Sequence, residues 1–231
     1  SHKLNVLITS AASTTAQIVV NALGNVHTLR LTDLPENAKG TILANELDHE
    51  ADTDNLMAGI DAIVNIGYQG QSGSAQHLMD YATRRMYNLL QAASDARVSR
   101  YVNISTLRLY EGHAENLVVT ERWRTDPPAD DIDLLSAHMA EYVCKEFARD
   151  RLIQVVNLRL GWPFVGDSSM DPNDTAVVSH DMIGAAVEEA LTNQKLAQWQ
   201  DIHIQSRVDY QRFITDTAAQ LLPELAGRLA E

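Results

Sequence analysis

Short runs of aliphatic and β-branched residues recur along this chain, each followed by a stretch whose apolar positions have helical spacing, and that alternation admits few folds. Residues 4–9 (LNVLIT) read as a first strand, and a helix over 13–23 follows, closed by Gly24. Strands are expected at 27–31, more weakly at 41–47, and clearly at 61–66, with a short helix over 52–58. A loop rich in Gly, Gln and Ser (67–73) precedes a long helix over 75–96 and a fifth strand at 101–105. Polar composition and two adjacent prolines predict a loop over 107–131. A helix over 133–150, a sixth strand at 153–160 and a helix over 179–192 follow, then a short strand around His203 and a terminal helix from Tyr210. Strand–helix alternation of this kind predicts an α/β fold, a Rossmann-type doubly wound parallel sheet. At 231 residues it suits one domain, with a small C-terminal appendage over about 161–231.

Composition narrows the partners. Acidic residues outnumber basic ones, 31 to 18, and no Lys/Arg cluster stands out, which argues against nucleic acid and anionic membranes. No apolar run is long enough to span a bilayer. With the first strand starting at Leu4 there is no room for a signal peptide, and Cys144 is the single cysteine, so a cytoplasmic location and no disulfide are expected. No metal site is expected, because His180 and Asp181 have no third ligand at suitable spacing and read as helix-capping residues.

Five segments share an order with a known family: LNVLITSAAS (4–13), LRLTDLP (29–35), GIDAIVNIGYQG (59–70), YNLLQAASDARVSRYVNISTLRLY (87–110) and AEYVCKEFARDRLIQVVNLRLGWPF (140–164). Together they resemble the extended short-chain dehydrogenase/reductase family of NAD-dependent epimerases and dehydratases, nearest its uronate dehydrogenase-like branch. The resemblance covers most of residues 4–192. It implies NAD as cofactor, a small nucleotide or sugar-like ligand, and a homodimer formed by the helices at 75–96 and 133–150.

The family's cofactor turn, TGxxGxxG, falls on residues 9–16, where Ser10, Ser13 and Ala16 stand at the glycine positions. Serine there adds a side chain where a diphosphate presses on main chain and penalises positive φ, so a weakened NAD site is expected. Ser13, Thr14 and Thr15 either offer hydroxyls to an anion at the helix N-terminus or simply cap the helix. Asp33 ends strand two where the family holds the adenosine ribose, favouring NAD over NADP; the other reading is a turn aspartate before Pro35. Glu46 lies where an acid often approaches the adenine, and Tyr68, after strand four, has a ring that can stack on a ligand.

The family's chemistry uses a hydroxyl residue, a tyrosine and a lysine. Thr106 fits the hydroxyl position. An ungapped count back from Arg159, Asn157 and Glu141 puts the YxxxK motif on residues 133–137, so Asp133 replaces the tyrosine and Ala137 the lysine. Tyr142 and Lys145 lie more than two turns too late, and His138 points about 100° away from its neighbour. Tyr110 is the expected stand-in phenol, at the mouth of the cleft. Arg108, Glu111 and His113 belong to a loop that either lines a polar pocket or is solvated, and Trp162 and Phe164 are expected to fill substrate space. Three functions stay open: a nucleotide- or dinucleotide-binding sensor without standard catalysis, an active NAD-dependent oxidoreductase or epimerase on a sugar-like substrate with an unusual residue set, and an interaction module with an empty cleft.

Overall fold

A computed structural model describes residues 2–164 and 176–229. The strands are β1 (Asn5–Ile8), β2 (Thr28–Asp33), β3 (Leu43–Ala44), β4 (Ala62–Asn65), β5 (Arg100–Thr106), β6 (Gln154–Leu160), β7 (Trp162–Phe164), β8 (Val177–Ser179) and β9 (Trp199–Ile204). The helices are α1 (Thr14–Leu23), α2 (Ala51–Leu56), α3 (Ala75–Asp80), α4 (Met86–Asp95), α5 (Ile132–Arg149), α6 (His180–Thr192), α7 (Asp216–Leu221) and α8 (Pro223–Leu229). Seven strands form a wholly parallel sheet in the order β3-β2-β1-β4-β5-β6-β9, and β7 pairs with β8 separately. The chain reverses direction across the sheet between β1 and β4, and that switch point, at the carboxyl ends of the strands, is where such sheets place ligands.

Side chains alternate between the two faces of the strands, and the two faces differ. One carries Val6, Ile8, Val64, Val102, Ile104, Val156, Leu158 and Ile202, apolar beneath α1, α6 and α8 except where Arg100 and Gln154 begin β5 and β6. The other is apolar only near the amino ends of the strands, where Leu7, Ile63, Tyr101 and Val155 pack against α4 and α5. Toward the carboxyl ends it turns polar, with Asn65, Asn103, Asn157 and Asp201 in lateral register. Helix starts follow local chemistry: Ser13 accepts from the Ala16 N–H, Asp131 from Leu134 and Ser179 from Met182. His180 and Asp181 therefore open α6 behind a serine cap.

The structure refines several sequence expectations. The long helix over 75–96 is interrupted by a π-helical turn, Tyr81–Arg85, a rare insertion often found at functional sites. It turns Tyr81 fully inward. Only two residues of the third strand pair, whereas the strand around His203 runs to six. Much of the stretch after residue 161 is built into the main architecture, since β9 extends the sheet and α6 covers it. No single helix runs from Tyr210: that residue is 97% exposed with φ 57°, and Pro223, which lacks a backbone N–H, starts α8 just after α7. Among the described residues no helix is long and apolar enough to cross a membrane, and no cluster of three or more His, Cys, Asp and Glu could hold a metal ion. Cys144 is buried, which pushes its thiol pKa up.

Candidate functional site

The turn between β1 and α1 keeps the shape that glycine would give it. Ser10 is fully buried at φ 46°, a left-handed conformation that costs a non-glycine residue about 1–2 kcal/mol. Its hydroxyl offsets that cost. Ser10 Oγ donates to the Gly67 carbonyl at 2.7 Å and accepts from Gln71 Nε2 at 3.0 Å. It also meets the Tyr81 hydroxyl at 3.0 Å; burial pushes that phenol's pKa up, so it keeps its proton to donate. Ser13 Oγ donates to the Ser10 carbonyl at 2.8 Å while capping α1. Ser13 thus serves as a cap, Thr14 is exposed beside it, and Thr15 reaches the cleft described below.

A short 3-10 turn, Gly67–Gly70, lies directly on this serine-bearing turn. A Cβ on Gly70 would stand 2.4 Å from Ser10 Cβ and 2.8 Å from Ser13 Oγ, so only glycine fits. Behind it Gln71 reaches Asp33. The Asp33 carboxylate is buried, 2% exposed, and both oxygens are occupied. Oδ1 accepts from Leu34 N at 2.7 Å, Gln71 Nε2 at 3.0 Å and Asn37 Nδ2 at 3.5 Å, and Oδ2 from Ala12 N at 3.0 Å. Glu46, by contrast, is half exposed and ion-paired to Arg85 at 3.0 Å.

Beyond Gln71 the carboxyl edge opens into a cleft of about 380 Å³, lined by Thr15, Tyr68, Thr106, Arg108, Asp133 and Trp162 among others. Thr106 Oγ1 accepts from Arg108 N at 3.2 Å and caps a 3-10 turn, Leu107–Tyr110. Arg108 is ion-paired to Glu111 at 2.9 Å, and Asp133 is exposed in the first turn of α5. His113 lies outside this cleft, its Nε2 against the Arg124 carbonyl at 2.6 Å. The Tyr68 ring packs with Ala82, Leu109, Ala137 and Ala140. Burial first, then the Asp133 charge, pushes its phenol pKa up. The Phe164 side chain lies outside the described atoms.

Tyr110 is not at the mouth of this cleft, which corrects the expectation. The 3-10 turn folds its ring into a buried cluster with Leu107, Val119 and Phe213. There its hydroxyl accepts from Arg159 Nη1 at 2.7 Å and lies 3.1 Å from His203 Nε2. Arg159 also makes a two-pronged ion pair with Glu141, Nε to Oε2 at 3.0 Å and Nη2 to Oε1 at 2.7 Å. Ser105 donates to the same carboxylate. Burial resists ionisation of Glu141, but the Arg159 charge and these hydrogen bonds outweigh it and hold the carboxyl below its usual range. Burial and the Arg159 charge hold His203 well below its usual value, hence neutral.

The polar face of the sheet extends this cluster sideways. Thr9 Oγ1 donates to Asn65 Oδ1 at 2.8 Å, Asn65 to Asn103 at 3.1 Å, Asn103 to Asn157 at 2.9 Å, and Asn157 to Asp201 at 2.9 Å. The relay runs without a gap from the residue after β1 across four strands, β4, β5, β6 and β9. Residue-by-residue reading missed it, although one signal was present: VNI, VNI and VNL occur at 64–66, 102–104 and 156–158. Gln71 gave no such signal.

Residues 8–212 match the model of the NAD dependent epimerase/dehydratase family. Several solved structures share the fold. Glucuronic acid dehydrogenase from Chromohalobacter salexigens superposes with a TM-score of 0.80 at 20% identity, over 95% of this chain and 83% of that one. Uronate dehydrogenase from Agrobacterium tumefaciens gives 0.80 at 17% identity, over 99% and 89%. UDP-glucuronic acid 4-epimerase from Bacillus cereus, solved in complex with NAD, gives 0.70 at 15% identity, over 98% and 96%. A comparison with curated proteins returns no match.

Proposed function

This chain belongs to the NAD-dependent epimerase/dehydratase family, and from that premise we propose that it is an atypical member, a nucleotide- or dinucleotide-binding sensor without standard dehydrogenase catalysis. One observation carries the reading. At the register of the family's tyrosine and lysine stand Asp133 and Ala137, and Ala137 is buried under Tyr68. Among the described residues Tyr68 is the one phenol lining the cleft, and its pKa is raised, the reverse of what proton abstraction near neutral pH requires. Thr106 and Asp133 remain at the cleft as groups that bind and orient a ligand's hydroxyls.

The NAD site is weakened on this reading, because the residues present fit a bound dinucleotide only after rearrangement. Asp33 has its oxygens filled from within the chain, and Ser10, Ser13 and Gly70 pack together where a diphosphate would need bare main chain. The acidic composition, with no helix among the described residues long and apolar enough to cross a membrane, favours a small polar ligand and a cytoplasmic location over nucleic acid or membrane. Tyr87 on α4 and Tyr142 on α5 are half exposed on packed neighbouring helices, an outer face suited to a second copy in a homodimer.

Calorimetric titration with NAD, NADH, NADP and NADPH, paired with a hydride-transfer assay on uronates and UDP-sugars, tests the proposal. Weak binding without turnover is expected. Sustained hydride transfer by the purified protein rejects it.

A further inference from the structure

Of the four contacts that fill Asp33, two come from backbone N–H groups, those of Leu34 and of Ala12 in the β1–α1 turn, and one, a long one, from Asn37, four residues away. The fourth comes from Gln71, 38 residues along the chain and on another loop. Gln71 is held at three points: its Nε2 donates to Asp33 Oδ1 and to Ser10 Oγ, each at 3.0 Å, and its Oε1 accepts from Asn37 Nδ2 at 3.3 Å. An amide placed between a carboxylate and a hydroxyl occupies the hydrogen-bonding positions that a ligand's adjacent hydroxyls would take.

The loop that delivers it is seated by close contact. Gly70 fits against Ser10 and Ser13 only because it lacks a Cβ, and Ser10 Oγ ties the loop down through the Gly67 carbonyl. Gln71 also lines the open cleft, so it forms the wall between that cleft and Asp33. The space left on the open side, about 380 Å³, is at the small end of the range for ligand pockets, about 300–1,000 Å³.

We infer that Gln71 is an internal plug that divides the family groove, closing its Asp33 end and restricting the open end to polar ligands no larger than a mononucleotide. The inference deepens the proposed reading of the cleft as a binding site without turnover, and rests on it. A dinucleotide must expel the Gln71 amide before its ribose hydroxyls can meet Asp33, whereas a mononucleotide-sized ligand need not.

The test is calorimetric titration of NAD and nicotinamide mononucleotide into the full chain and into Gln71→Ala, with ADP-ribose as a third probe. Removing a hydrogen bond to a charged group that competes with the ligand should raise NAD and ADP-ribose affinity by about tenfold or more. Nicotinamide mononucleotide affinity should stay within about twofold, since its contacts lie beyond the plug. Adding Asp33→Asn to Gln71→Ala should erase the gain, which a general loosening of the loop would not predict. Unchanged NAD and ADP-ribose affinity in Gln71→Ala overturns the inference, as does a gain that survives Asp33→Asn. It is also overturned by an unsubstituted chain that binds NAD more tightly than the mononucleotide. Hydride transfer by the unsubstituted chain rejects the proposed function separately, so the two failures are told apart.

Discussion

The two ends of the sheet's carboxyl edge are both closed by side chains, but by different chemistry. At the β1–β2–β4 end the closure is hydroxyls and the amides of Gln71 and Asn37 around a single carboxylate, with the Gln71 amide half-buried on a loop. At the β5–β6–β9 end it is a buried ion pair, Glu141 with Arg159, braced by Ser105, Tyr110 and Asp201. A neutral hydrogen-bonded amide can be exchanged for ligand hydroxyls at a cost of on the order of 1–3 kcal/mol, which a ligand's own contacts can offset. A desolvated charge pair does not open that way, since parting it strands two charges in a poor dielectric. The first end is therefore where a ligand can compete, and the second is scaffold.

The largest expected effect lies at the charged end. Arg159→Met strands Glu141 and should cost about 3–5 kcal/mol in urea denaturation, while Glu141→Leu combined with Arg159→Met should cost far less. A single-variant cost below about 1 kcal/mol would show that this end is not locked. Asn103→Leu cuts the relay between Asn65 and Asn157 and should cost about 2–3 kcal/mol by the same measurement, with two buried amide groups left unpaired.

Acid should separate the two ends next. Glu141 and His203 both have folded-state pKa values below their unfolded ones, so their contribution is complete above the unfolded values. It should fall away as pH drops below the usual histidine range, about 6.5, for His203, and below the usual carboxylate range, about 4.3, for Glu141. Thermal melts across pH 8 to 3 should show this loss, and His203→Gln should remove its upper part. A melting temperature flat down to about pH 4 contradicts the assignment of a buried neutral His203. Ser10→Gly should move stability least, within about 1 kcal/mol, because relief of the left-handed serine offsets lost hydroxyl bonds. A much larger loss would mean that the hydroxyl, rather than Gly70 and Gln71, seals the β1–β2–β4 end.

The sheet was legible because its signals are local. Runs such as residues 62–66 and 101–105 are apolar and β-branched in sequence, and the strands fall there. Tyr110 was misplaced because position after a strand says where a backbone goes, while a 3-10 turn decides where the ring points. The turn serines were read as obstacles; Ser10 in fact holds the glycine-like conformation, stabilised by partners 57, 61 and 71 residues away.

Periodicity and residue chemistry along the chain settled the α/β class and the order of most elements. Folding settled which polar groups find each other: Gln71 with Asp33, Arg159 with Glu141, and an asparagine in each of three strands aligned into one relay. Helix and strand patterns arise from neighbours within a turn or two, so the linear order of residues contains them. Partners dozens of residues apart meet only after strand register and loop seating are fixed, and both come from packing of the whole core.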